Sequence, residues 1–429
     1  MSSGALRTDN WMGRLSLFSL CLLMFILPIA HTATLRAVGV VGVLLVLLYR
    51  VCIRRNIRWT RTGFEYPFLA FCLAALVSVP FSSNIRESLG EIKGEVFLAM
   101  FLFYGAYLLL DREEDVLLLV KVLFAGSLVF SLYSFYDFYR HDGSFFVHTY
   151  RAGGLRDPGG GECAALYHCM VIPFLFWGIF YCRQRWQSVG LFVLFLINLV
   201  GLHMTFTRAA YLALGVQFIV ATVMLLVNRR WVAGFLMLSF LVVGGVAYTQ
   251  KQMFRELQTE SMPSLEEYMY RTPVEIAGPN PSSMKIRFAM WKTAIDEIAK
   301  NPFRPHGFGR FLFGAQVRTL QNNHFIYDQT HNTFLGMWFE LGLLGFLAFM
   351  WMIGSFLHAC WRFWRASADS LAHWFAAGLM TMMAGYWVNN FFASFDADDA
   401  KILFMLLLGM GMALMRRIPV RKEAAEPSC

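Results

Sequence analysis

Thr330-His331-Asn332-Thr333-Phe334-Leu335-Gly336-Met337-Trp338-Phe339-Glu340-Leu341-Gly342-Leu343-Leu344-Gly345 passes directly from polar, hydrogen-bonding side chains into a long apolar run. The transition predicts a membrane helix whose first turn carries His331, at the border between lipid and water. At about 100° per residue, Gly342 falls roughly 20° from His331 around such a helix, and Gly345 about 40° to the other side. One stripe then bears a titratable imidazole at its head and two glycines below it, where small residues let a neighbouring helix approach closely. Asn332, Gly342 and Gly345 are expected to support His331. The alternative is that the His-Asn pair merely marks the interface.

Composition sets the class. Hydrophobic residues make up 57% of the chain and charged ones 15%, with mean hydropathy +0.51; soluble domains are nearer a quarter charged. About twelve apolar segments have helical length, taking ~20 residues to cross a ~30 Å hydrocarbon core. They span 15–33, 36–53, 64–82, 95–110, 115–137, 163–182, 189–206, 209–228, 232–249, 332–360, 371–395 and 401–415. The expected fold is an all-α polytopic membrane protein of about twelve transmembrane helices, with one large loop containing amphipathic helix. Helices one to nine occupy 1–249, the loop 250–330, helices ten to twelve 331–418 and a tail 419–429. No alternating pattern suggests a β-barrel. Basic residues precede the first span, but its length and the absence of a small-x-small cleavage site make it a retained helix. The cysteines have no metal-ligand spacing, so neither a zinc site nor a disulfide framework is indicated.

Arginine placement gives the expected orientation. Arg50, Arg54, Arg55, Arg58, Arg61, Arg183, Arg185, Arg229, Arg230, Arg362, Arg365, Arg416, Arg417 and Arg421 fall in one set of alternate connections. By the positive-inside rule these are cytoplasmic, as are both termini. The acidic connection Asp111-Arg112-Glu113-Glu114-Asp115 does not follow the rule. The opposite side receives the 138–162 loop, Thr205-Phe206-Thr207-Arg208, the large loop leading to His331, and Asp396, Asp398 and Asp399. A phosphate-bearing ligand would be met there, which argues against ATP or a nucleotide-sugar donor.

Arg151 and Arg156 lie in a Gly-rich segment of a kind that can offer backbone N–H groups to an anion; Arg151, with small residues after it, is the more accessible. Its alternative is an ordinary loop. Arg208 borders apolar sequence, where an unpaired guanidinium is costly, and the adjacent Ala209-Ala210 predict a packed interior face. Within the loop, 284–298 is an amphipathic helix, started by Ser282 or Ser283 and ended by Asn301-Pro302. Arg287, Trp291, Ala294 and Ile298 share one face, allowing Arg287 to stack on Trp291 or to face a lipid-borne phosphate. Gly307-Phe308-Gly309 forms a turn back toward the membrane, while Pro263 to Pro281 reads as irregular. Arg86, Glu87, Glu91 and Lys93 form a short polar connection. Asp396-Ala397-Asp398 resembles a metal-binding Asp-x-Asp but is better explained by a helix start or arginine pairing; no metal is expected.

Taken together, these features resemble the O-antigen ligases, within the superfamily of bacterial polysaccharide ligases, polymerases and protein O-oligosaccharyltransferases. The ligase pattern of His, Asn, nine residues, Gly, two residues and Gly is filled by His331-Asn332, Gly342 and Gly345. Arg…Trp followed by Asn-Pro and Gly-x-Gly is similar to Arg287, Trp291, Asn301-Pro302 and Gly307-x-Gly309, and Thr-x-Thr-Arg to Thr205–Arg208. The Phe303-Arg304-Pro305-His306 insertion is longer than usual, so a local departure is expected there. The resemblance implies a glycosyltransferase at the periplasmic face of a Gram-negative inner membrane, moving O-antigen from undecaprenyl diphosphate to lipid A–core. Arg151, Arg208 and Arg287 would bind the diphosphate and His331 would act as base, with Trp291 in support; no cofactor, nucleotide or nucleic acid is implied. A polymerase or a protein O-oligosaccharyltransferase is the near alternative. A lipid-linked oligosaccharide transporter is the distant one, although no internal repeat supports it.

Overall fold

A computed structural model of the chain describes residues 3–55, 61–146, 149–155, 161–182, 184–228, 283–309, 312–315, 329–366, 371–392 and 398–416. The regular elements among them are helical: α1 (Ser3–Ile26), α2 (Ala33–Leu48), α3 (Glu65–Ser78), α4 (Ile85–Glu91), α5 (Leu98–Leu109), α6 (Glu113–Arg140), α7 (Glu162–Tyr181), α8 (Arg185–Met204), α9 (Arg208–Asn228), α10 (Ser283–Lys300), α11 (Thr333–Ala366), α12 (Leu371–Phe391) and α13 (Asp398–Met415). Short π-helical turns extend α2 over Tyr49–Ile53 and join α4 to α5 over Ile92–Phe97. Seven helical stretches among the described residues are long and apolar enough to cross a membrane.

Burial sorts these helices. α7 is apolar all round and buried continuously from Ala164 to Gly178, as expected of a helix with protein on every side. α12 is buried over most of its length and packs on α7, α9 and α11. Elsewhere large apolar side chains stay exposed on one face, as with Val38, Val41 and Leu45 of α2 and Ile219, Val223 and Val227 of α9. That distribution suits a lipid solvent, which does not penalise exposed hydrocarbon. Polar pairs tie the buried helices: Trp177 donates to Thr381 at 3.0 Å, and His168 meets Asn198 at 3.0 Å. Lys401 of α13 pairs with Glu95 in the π-helical turn at 2.7 Å, both buried. Such charges inside a membrane protein need partners.

Helices stand at eleven of the twelve expected spans; the ninth, 232–249, lies outside the described residues, as does most of the 250–330 loop. Three expectations change. The polar connection containing Arg86, Glu87, Glu91 and Lys93 is helical, because Asn84 caps α4 by accepting the Glu87 N–H at 3.2 Å. The anomalous acidic connection has a local cause. Asp111 pairs with Arg50 at 2.7 Å and Arg416 at 3.1 Å, drawing together the ends of α2, α5 and α13.

The third change concerns α11. It is not one straight helix, because Gly342 breaks it at φ 68°, ψ 176°. The expected stripe of His331, Gly342 and Gly345 on one helix face therefore does not exist. A break leaves carbonyls and N–H groups without helical partners, and residues 301–309 satisfy them. Leu343 N–H donates to Pro302 O at 2.9 Å, and the His306 and Gly307 N–H groups both donate to Glu340 O at 3.2 Å. His306 Nδ1 reaches Phe339 O at 3.0 Å while its ring stacks on Phe339, and Glu340 Oε2 accepts the Gly309 N–H at 3.0 Å. The backbone of Phe303 lies so close that a Cβ on Gly342 would come within 2.4 Å of its carbonyl oxygen. The long Phe303–His306 insertion is thus the part that fills the break. Phe308 then pins this clasp to the α3–α4 region through Ser78 and Ser88. Gly345 lies beyond the break, against Ala74 of α3.

Candidate functional site

The turn between α8 and α9 organises the site. Thr205 donates its hydroxyl to Leu202 O at 2.7 Å and accepts the Thr207 N–H at 3.3 Å, so the chain reverses within three residues. Phe206 takes φ 47°, a conformation few non-glycine residues adopt. Arg208 then opens α9. Ala210 behind it is packed as expected, but Arg208 itself is exposed rather than on an interior face.

Two further strands of chain lie on this turn. Ala152 N–H donates to Met204 O at 3.0 Å, and Arg151 donates from Nη2 to Phe206 O at 3.4 Å. The Arg151 Nε is buried without a hydrogen-bond partner among the described residues. Gly161 presses against Thr205 closely enough that a Cβ would sit 2.7 Å from its carbonyl oxygen. Glu162, the first residue of α7, follows at once. Arg156 lies outside the described residues.

α10 supplies Arg287. Its Met290, Ala294 and Ile298 are buried with Phe313 and Phe339, fixing the helix against the first part of α11. Ala294 and Ile298 of the expected face are thus packed on α11, while Arg287 and Trp291 turn to other partners and not to each other. The Trp291 ring meets Phe288, Phe391 and Phe392, and Arg287 Nη2 pairs with Glu162 Oε1 at 3.5 Å. Burial lowers the Arg287 pKa; Glu162 opposes that, while the charges of Arg151 and Arg208 add repulsion. Three guanidinium groups supplied by different segments thus bear on one another. The caps at Ser282 and Ser283 and the side chain of Asp398 lie outside what is described.

His331 stands just before α11 instead of in its first turn. Asn332 is the capping residue: its Oδ1 accepts the Leu335 N–H at 3.0 Å, and Thr330 reaches across to Asn332 O at 3.0 Å. This fold-back places His331 at φ 47°. Both it and Phe206 hold strained backbone at the same end of the bundle, of the kind that persists where surroundings over-determine it. Burial, then the charge of Arg287, hold the His331 imidazole below the ordinary histidine pKa, with Glu162 pulling the other way. The ring is accordingly neutral near pH 7 and able to accept a proton. Thr333 donates to Asn390 at 3.4 Å, tying the α11 start to α12.

Glu162 is the residue the sequence reading missed. Its signal was present: an acidic side chain after Gly159-Gly160-Gly161 and before an apolar run marks a helix start. Asp399, by contrast, pairs with Arg36 at 2.5 Å; its neighbour Asp398 opens α13, and Asp396 is outside the described residues. Among the described residues no group of His, Cys, Asp and Glu is placed to hold a metal ion.

Residues 193–350 match the O-antigen ligase family model. The matched segment includes Arg208, Arg287, Trp291, the clasp, His331, Gly342 and Gly345, while Arg151 and Glu162 precede it. No curated protein matches the chain.

Proposed function

We propose, from the O-antigen ligase match over residues 193–350 and the chain of charge that links Arg151 and Arg208 to Arg287 and Arg287 to His331, that this chain transfers O-antigen polysaccharide from undecaprenyl diphosphate to a sugar hydroxyl of lipid A–core. The site faces the periplasm of a Gram-negative inner membrane, with both chain termini cytoplasmic. The observation that carries the reading is that Arg151 and Arg208 bear electrostatically on Arg287, whose charge in turn bears on His331.

The chemistry follows from charge. The donor brings its leaving group, so no nucleotide is needed. The acceptor oxygen attacks the anomeric carbon, the bond from that carbon to the phosphate oxygen breaks, and its electron pair leaves on the diphosphate. Attack opposite the leaving group inverts the anomeric centre. Arg151, Arg208 and Arg287 bind the diphosphate; guanidinium forks match phosphate oxygens, and their effect grows as charge accumulates on the leaving diphosphate. The hydroxyl proton passes to His331, whose lowered pKa keeps it unprotonated before attack. Asn332 fixes the ring's backbone position through the helix cap.

Purified protein, undecaprenyl-diphosphate-linked glycan and lipid A–core, incubated with EDTA and without nucleotide, test this reading. Glycan joined to lipid A–core is the expected product. Longer lipid-linked glycan would make the chain a polymerase, and glycan on an added acceptor peptide would make it a protein O-oligosaccharyltransferase. Donor moved across a vesicle membrane without any new bond would make it a transporter.

A further inference from the structure

Glu162 has no part in the transfer step just described, yet its carboxylate is ion-paired to one of the three arginines. The guanidinium groups repel one another, and the Arg287 pKa registers both Arg151 and Arg208 as unfavourable neighbours. The Glu162 carboxylate offsets that repulsion, as the donor's diphosphate would, and more fully. The pair is built to open. Its 3.5 Å separation is long against the ~2.7–2.9 Å of a strong charge-assisted hydrogen bond. The two side chains are 21% and 49% exposed, so water already competes for both. The backbone keeps Glu162 in place, because Gly161 is held against Thr205. Arg287 cannot give its Nη2 group fully to a diphosphate while Glu162 holds it, and a carboxylate there repels an arriving anion.

We propose that Glu162 is a stand-in for the donor's diphosphate, pairing with Arg287 and yielding it when a diphosphate enters. The inference rests on the arginine-clamp reading above. It gives Glu162 a role in turnover. By reclaiming Arg287 after transfer, the carboxylate weakens the hold on the diphosphate product and favours its release. Glu162 is thus a positioning residue that trades affinity for release.

Binding of farnesyl diphosphate, a short-chain probe, to the full-length detergent-purified protein tests this. Wild type, Glu162→Gln, Glu162→Ala, Glu162→Asp, Arg287→Ala and the Glu162→Gln/Arg287→Ala double variant are titrated at equal ionic strength. Each variant is first checked for unchanged elution and melting. Removing the charge is expected to tighten binding by about two- to five-fold, the scale of a half-exposed ion pair. Gln and Ala should agree, Asp should stay near wild type, and the double variant should bind no more tightly than Arg287→Ala. In steady-state transfer, Glu162→Gln should lower both KM for donor and kcat, with stronger inhibition by added diphosphate. Equal or weaker binding by both Gln and Ala variants, with Arg287→Ala still weakened, overturns the stand-in role and leaves the clamp intact. Unchanged binding by Arg287→Ala overturns the clamp itself.

Discussion

The clasp over residues 301–309 and the basin around the α8–α9 turn both hold residues of the segment that matches the O-antigen ligase model, and both rest on strained or tightly packed backbone. They differ in what is left over. In the clasp, the Pro302 carbonyl, the His306, Gly307 and Gly309 N–H groups and both backbone groups of Phe308 have close hydrogen-bond partners, and the buried Glu340 carboxylate accepts one of those N–H groups. In the basin, Arg208 is exposed, the Arg151 Nε is buried without a partner among the described residues, and Arg287 holds its counter-ion loosely. Satisfied donors and acceptors make a rigid element, whereas spare donors leave a group able to take up an anion. A motif residue therefore declares its role by its hydrogen-bond account and not by its place in the pattern. Gly342 and His331 belong to one pattern and to opposite sides of this division.

The comparison can be broken by substitutions that fail to sort. His331→Ala should lower the transfer rate by about 10²–10⁴-fold, as for loss of a general base, with melting and diphosphate binding nearly unchanged; a transfer assay beside a thermal melt checks this. Gly342→Ala should do the reverse. A Cβ 2.4 Å from the Phe303 carbonyl oxygen at φ 68° combines backbone strain with overpacking, costing about 3 kcal/mol or more of stability. The surviving folded fraction should keep a normal KM for donor.

Asn332→Ala sharpens the division, because this residue lies between the two regions. Loss of the cap should cost about 1 kcal/mol, seen as a lower melting temperature, and kcat should fall further than stability because His331 is its neighbour. Asn332→Asp should restore most of both.

The smallest effect is on pH. A general base with a lowered pKa is active above that value and lost as pH falls through it, so the acid limb of kcat/KM should lie below about 6.5. Glu162 raises the His331 pKa, so Glu162→Gln should move the limb further toward acid. A limb that moves toward alkali contradicts the charge assignment.

Helix positions were legible because hydrophobic runs of membrane length have few alternative explanations. The arginines and His331 drew attention because charge beside apolar sequence is costly unless used. The break at Gly342 was not: glycine is common in membrane helices, and only the distant 301–309 segment, by supplying partners for the broken turn, makes the break stable. Nor was the role of Asp111, whose two arginines lie 61 and 305 positions away in the chain. Arg287 was given the wrong partner, since helical spacing offered Trp291 and could not reveal Glu162 from another helix. Period shows which residues share a helix face; it does not show which partner each of them takes.

The most direct measurement of the central claim is a single-turnover reaction. Undecaprenyl-diphosphate-linked glycan is first bound to excess reconstituted enzyme, wild type or His331→Ala, and lipid A–core is then added with EDTA and without nucleotide. The account predicts equal donor capture by both proteins, and joined product at a normal rate from wild type alone. Equal product formation by His331→Ala would contradict it, showing that the imidazole takes no proton in the transfer step.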